Sequence, residues 1–148
     1  APGGWAQIST KLVGNKGKVM GIDTSFVEEI PGVHILKANI EDDSVIEEIF
    51  SFFGKKVNAV ISDISPQVSG NWSVDHSAQI SLNYTAVKIM DQVLAIKGNA
   101  LFKVFDGEYS SEFYHYVKKK FSKVNLTKPK ASRKPSSELY CVCLGYTG

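Results

Sequence analysis

Two features of this sequence have residue types and spacing suited to nucleoside chemistry. The Gly3-Gly4 pair precedes an apolar stretch with helical spacing, and Asp23 lies twenty positions after Gly3, at the end of a strand-like run. Adjacent glycines let backbone approach a ligand closely at a helix N-terminus. An acid at a strand end of a nucleoside-binding α/β fold commonly accepts hydrogen bonds from ribose hydroxyls. Each feature alone has a plain reading, an ordinary glycine turn in one case and a helix cap or turn residue in the other. Together they point to an adenosine-containing cofactor and leave S-adenosylmethionine and a dinucleotide both open. A second chemistry is polyanion binding: Lys118, Lys119, Lys120, Lys123, Lys128, Lys130, Arg133 and Lys134 form a run with no Asp or Glu among them. Trp72, in a polar loop, could stack on a base or ribose. The plain alternatives are a solvated lysine face and a ring covering the core edge. His34, His76, His115, Cys141 and Cys143 do not form a metal-ligand spacing, so no metal is expected.

The elements that must position these residues follow from hydrophobic periodicity. Helices are predicted over Trp5–Val13, Val45–Phe53, about Ala78–Ile96 and Glu112–Phe121, and strands over Lys18–Asp23, Val33–Leu36, Val57–Ile61, Ala100–Phe105, Val124–Leu126 and Leu139–Leu144. This alternation argues for an open, mostly parallel α/β sheet, which binds ligands at the carboxyl ends of its strands. With 148 residues, 43% of them hydrophobic, the chain can bury one core, so residues 1–148 are expected to form a single domain. The net charge of +2 is too small to identify a partner by itself. Cys141 and Cys143, two apart in an apolar segment, suit buried free thiols on one strand face, hence a reducing compartment. No apolar run approaches the roughly 20 residues of a membrane span and no signal peptide is visible, which places the protein in the cytoplasm. The chain opens on Ala1-Pro2-Gly3-Gly4-Trp5 with no initiator Met and no strand leading into the turn, so an N-terminal truncation is expected.

Four segments in order go beyond periodicity: Ala1-Pro-Gly-Gly-Trp-Ala-Gln7, Ile61-Ser-Asp63-Ile-Ser-Pro66-Gln-Val-Ser-Gly70, Phe102-Lys103-Val-Phe-Asp-Gly107-Glu108, and Lys128-Pro-Lys-Ala-Ser-Arg133-Lys-Pro-Ser-Ser-Glu138-Leu-Tyr140. With them the chain resembles, over essentially its whole length, the FtsJ/RrmJ family of S-adenosylmethionine-dependent RNA ribose 2′-O-methyltransferases. The resemblance implies a class I methyltransferase fold: a Rossmann-like, mostly parallel sheet with helices on both faces and the last strand antiparallel. It makes Gly3, Gly4, Trp5, Asp23 and Asp63 candidates for holding the cofactor. Where many relatives carry an adenine-binding Asp, this chain has Asn39, whose carbonyl can accept the same bond.

The family's catalytic set is a Lys-Asp-Lys-Glu tetrad, and the resemblance maps its last three members onto Asp63, Lys103 and Glu138. In the family the first lysine lies upstream of the glycine-rich turn, so the expected truncation would have removed it together with the N-terminal helix and first strand. Methylating a ribose hydroxyl needs an electrophile, the sulfonium of S-adenosylmethionine, in line with an oxygen that loses its proton. Lys103 is the candidate for the residue nearest the 2′-OH, acting as base if crowding and desolvation lower its pKa. Asp63 and Glu138 would orient it, although carboxylates favour its charged form, so positioning the hydroxyl is the other role open to it. Lys128, Lys130 and Arg133 are the RNA-binding candidates. The expected partner is RNA, foremost a uridine of large-subunit ribosomal RNA, and the expected state a monomer. A tRNA substrate, or a noncatalytic RNA-binding module on the same fold, is the alternative. A dinucleotide oxidoreductase is disfavoured because the first turn is not G-x-G-x-x-G.

Overall fold

The computed structural model describes residues 3–128 and 137–148; Ala1, Pro2, Lys130 and Arg133 lie outside the described residues. The chain divides into two compact units, Ala1–Lys55 and Lys56–Gly148, and each is considered by itself.

The first unit runs α1 (Gly4–Val13), β1 (Val19–Asp23), β2 (Val33–Lys37) and α2 (Ser44–Phe53). The strands form a parallel pair, in register from Val19 opposite Val33 to Asp23 opposite Lys37. Helix α1 packs on both strands. It starts at Gly3 because the backbone there turns with φ 88°, a region that disfavours any side chain, and an added Cβ would run into Ile30. Helix α2 buries Val45 and Ile49, one turn apart, and Gly54 closes it with φ 69°. Phe52 stacks on His34 of β2, with ring centroids 4.7 Å apart, and its carbonyl accepts from Lys18 Nζ at 3.0 Å.

The second unit carries β3 (Val57–Ser62), α3 (Trp72–Val93), β4 (Leu94–Phe105), α4 (Ser110–Lys118), β5 (Phe121–Thr127) and β6 (Glu138–Tyr146). Its strands order as β3-β4-β6-β5. β3 and β4 are parallel, whereas β6 runs antiparallel to both β4 and β5, the reversed last strand that the resemblance implied. Helices α3 and α4 pack on this sheet and touch each other. Tyr84 of α3 and Phe102 of β4 both meet Phe113 of α4 edge-to-face, at 5.5 and 5.8 Å between ring centroids. Around this trio Val87, Met90, Leu94, Val104, Val117, Cys141 and Cys143 are fully or nearly fully buried. The two cysteines are free thiols on one face of β6, their sulfurs 3.7 Å apart. The neighbouring Cys141 thiol, and then burial, push the Cys143 thiol far above its ordinary range.

Several boundaries differ from the periodicity reading, among them the end of α3, which stops at Val93 so that Leu94–Ile96, expected in the helix, belong to β4. Helix α3 begins at Trp72 rather than near Ala78 because the Asn71 side chain caps it, accepting from Val74 N–H at 3.4 Å. Asp75 reinforces that start by accepting from both the backbone N–H and the hydroxyl of Ser69 at 2.7 Å. These bonds, the hydroxyl first, hold the Asp75 carboxyl below its ordinary range. β4 begins at Leu94 rather than Ala100, since Lys97 (φ 67°) and Gly98 absorb an irregularity that shifts the β3–β4 register between Val57 and Ala59. Helix α4 stops at Lys118, and Phe121, expected within it, opens β5 opposite Tyr146. Among the described residues no helix is long and apolar enough to cross a membrane.

Candidate active site

In the first unit, Gly3 stands at the N-terminus of α1, which has no side-chain cap among the described residues. Gly3 packs near Val27 and Ile30, in the loop that follows Asp23. That packing ties the glycine turn to the end of β1. Gly4 is exposed and has open space where a Cβ would stand, while Trp5 is half-buried on α1. Asp23 is half-buried, and its Oδ1 accepts from Ser25 N–H at 2.8 Å. Asn39 is exposed just beyond β2. Its side-chain carbonyl accepts from Glu41 N–H at 3.1 Å, which leaves one further acceptor position on that oxygen.

In the second unit, the ends of three strands bring the mapped tetrad residues together. β3 ends at Ser62, and Asp63 is the next residue. Lys103, on β4, is 7% exposed, and its Nζ lies 2.9 Å from Asp63 Oδ1 and donates to the Asp63 backbone carbonyl at 3.2 Å. Asp63 itself is open to solvent, with a side chain 48% exposed. Glu138 begins β6 opposite Phe105, and Tyr140 lies opposite Lys103. Side chains alternate along a strand, so Lys103, Phe105, Glu138 and Tyr140 share one sheet face. Burial, with the carboxylates of Glu138 and Asp63 adding to it, raises the Tyr140 phenol above its ordinary value. Periodicity assigned Tyr140 no role; its place two residues after Glu138 in a strand was the signal that could have found it.

Trp72 is not a loop residue. It opens α3, stacks on Phe105 and His76 with centroids 5.6 and 6.1 Å apart, and stays 46% exposed. Lys128 is exposed just after β5. Lys130 and Arg133 are outside the described residues, so of the proposed basic loop the structure places Lys128. Among the described residues no three His, Cys, Asp or Glu side chains converge as metal ligands.

The mixed sheet with its reversed last strand, and the Lys–Asp pair at its strand ends, define a class I methyltransferase fold. Comparison with known proteins reaches the family. The FtsJ-like methyltransferase model matches residues 1–146, and the chain belongs to that family. It is 70% identical over 148 residues to the ribosomal RNA large subunit methyltransferase E of Nitrosopumilus maritimus, and 54% identical to that of Cenarchaeum symbiosum. In each case the match covers 100% of this chain and 75% of the relative. A solved ribosomal RNA methyltransferase of Plasmodium falciparum superposes with a TM-score of 0.89 at 29% identity, covering 99% of this chain and 82% of that one.

Proposed function

We propose that this chain transfers the methyl group of S-adenosylmethionine to a ribose 2′-OH of RNA, a uridine of large-subunit ribosomal RNA, as a monomer in the cytoplasm. The observation that carries the reading is the buried Lys103 amine held against Asp63 at the end of β4, beside Glu138 and Tyr140. The family and the names of the two relatives support a ribosomal RNA substrate.

The cofactor supplies a sulfonium methyl when bound. The protein's residues supply alignment and proton handling. An ammonium has three N–H donors, and Asp63 takes two of those of Lys103. The third is offered to the incoming hydroxyl, which it orients toward the methyl donor, and the hydroxyl proton leaves late to solvent, which reaches the site beside the exposed Asp63. Asp63 and Glu138 balance charge around it. Gly3, Gly4, Trp5, Asp23, Asn39 and Asp63 are assigned to the nucleoside cofactor, and Lys128, Lys130 and Arg133 to RNA phosphates.

The test is Lys103→Ala in the full-length protein, followed as single-turnover transfer of labelled methyl to unmodified large-subunit particles. Transfer should slow by about 10²–10⁴-fold, the scale for a positioned acid or base, with S-adenosylhomocysteine affinity unchanged. A parental rate would make Lys103 structural.

A further inference from the structure

We propose that Gln79 and Asn83 of α3 are positioning residues for Lys103, substituting for the strand that β4 lacks where the site opens. The proposal rests on the role assigned to Lys103 above. The β3–β4 ladder ends at the pair Ser62 and Phe102, while on its other side β4 remains paired with β6 as far as Phe105 and Glu138. From Lys103 to Phe105 one edge of β4 therefore has no strand beside it.

Successive residues of a strand direct their backbone groups to opposite sides, so the Lys103 carbonyl and the Phe105 N–H face the same edge. These are the two groups that one residue of a parallel neighbour would bind. Gln79 binds both: its Nε2 donates to the Lys103 carbonyl at 2.7 Å, and its Oε1 accepts from Phe105 N–H at 3.2 Å. The side-chain amide thus takes the place of a missing peptide unit. Asn83, one helical turn further along α3, donates a second bond to the same Lys103 carbonyl at 2.9 Å.

Both amides are 0% exposed. Burying them is costly unless their bonds are made, and apolar side chains would fill a core helix face without that cost. Asn83 Oδ1 is buried with no hydrogen-bond partner among the described residues, a cost set against the bond its Nδ2 makes to the Lys103 carbonyl. What the two amides hold is the backbone from which the Lys103 side chain springs, at the point where its Nζ must reach Asp63, the first residue beyond β3. The arrangement lets β3 leave the sheet, opening the edge, while Lys103 stays fixed.

The experiment is a double-mutant cycle in the full-length protein, with single-turnover methyl transfer, S-adenosylhomocysteine affinity and thermal melting read together. Gln79→Met, of similar length and without the amide, should slow transfer by about 10–100-fold, the scale of a small misplacement of a reacting group. Cofactor affinity should stay parental. Placed on Lys103→Ala, the same change should cost less than about twofold more, because residues acting as one unit are non-additive. Should Gln79→Met not fold, Asn83→Ala carries the same cycle; it removes one donor and leaves both Gln79 bonds, with an expected loss of about 3–10-fold. Equal losses in both backgrounds would mean a general structural role and overturn the proposal. A slow Lys103→Ala beside Gln79→Met or Asn83→Ala at the parental rate overturns the proposal alone. A parental rate for Lys103→Ala overturns the role of Lys103 and this proposal with it.

Discussion

A buried amine is costly unless its N–H groups are satisfied, and Asp63 answers for Lys103 with both a carboxylate and a backbone carbonyl. Asp23 is proposed to have the matching role for the cofactor, since a half-buried carboxylate at the end of β1 is an acceptor placed for ribose hydroxyls. Asp23→Ala is expected to weaken S-adenosylhomocysteine binding by about 1–3 kcal/mol, the loss of a charge-assisted partner. Calorimetric titration checks it, and an unchanged dissociation constant removes Asp23 from the site. Asp63, Lys103 and Glu138 could be named as candidates from the sequence because each sits in a family motif. Gln79 and Asn83 could not. Asp75, His76, Gln79 and Asn83 form a polar stripe along α3 that the fold buries, whereas polar side chains on a helix ordinarily face solvent. The bonds that two of them make to the open edge of β4 are a tertiary fact that no local pattern carries.

The elements are fastened by similar polar devices at their far ends. Asp91 of α3 accepts from the Tyr146 hydroxyl of β6 at 2.8 Å and pairs with Lys120, in the turn before β5, at 2.7 Å. Burial, then the bond to Asp91, push the Tyr146 phenol up to about 12. A folded value above the unfolded one, about 10, means that this group's stabilisation is complete below about pH 10 and is lost as pH rises toward 12. Tyr146→Phe should therefore melt below the parent at pH 8, with the gap narrowing between about pH 10 and 12. A gap that stays constant over that range contradicts the link. Element types were readable from periodicity; ends were not, because caps and irregularities decide them. Asn71 and the Ser69–Asp75 bonds extend α3 over residues that read as loop. The Lys97–Gly98 irregularity lets β4 start six residues before the expected strand.

Across the whole molecule, the basic run from Lys118 to Lys134 is the charge feature that an RNA substrate would meet. Replacing Lys128, Lys130 and Arg133 together by Ala should weaken RNA binding. It should also flatten its salt dependence, by about one unit of slope for each phosphate that is no longer neutralised. Equal slopes for variant and parent would reduce the loop to a solvated surface. The α/β class and its mostly parallel strands were legible from the alternation of helices and strands, but the reversal of one strand was not, since a two-residue alternation reads the same in either sense. The reversal of β6 came from the family motifs and is present in the ladders on both sides of that strand. Methyl transfer to a ribose of large-subunit RNA is decided by incubating the full-length protein with labelled S-adenosylmethionine and unmodified large-subunit particles. The RNA is then digested to nucleosides, and mass analysis locates the label. Label on the 2′-oxygen of a uridine ribose is the expected result. Label on a base, or none on RNA at all, would contradict it.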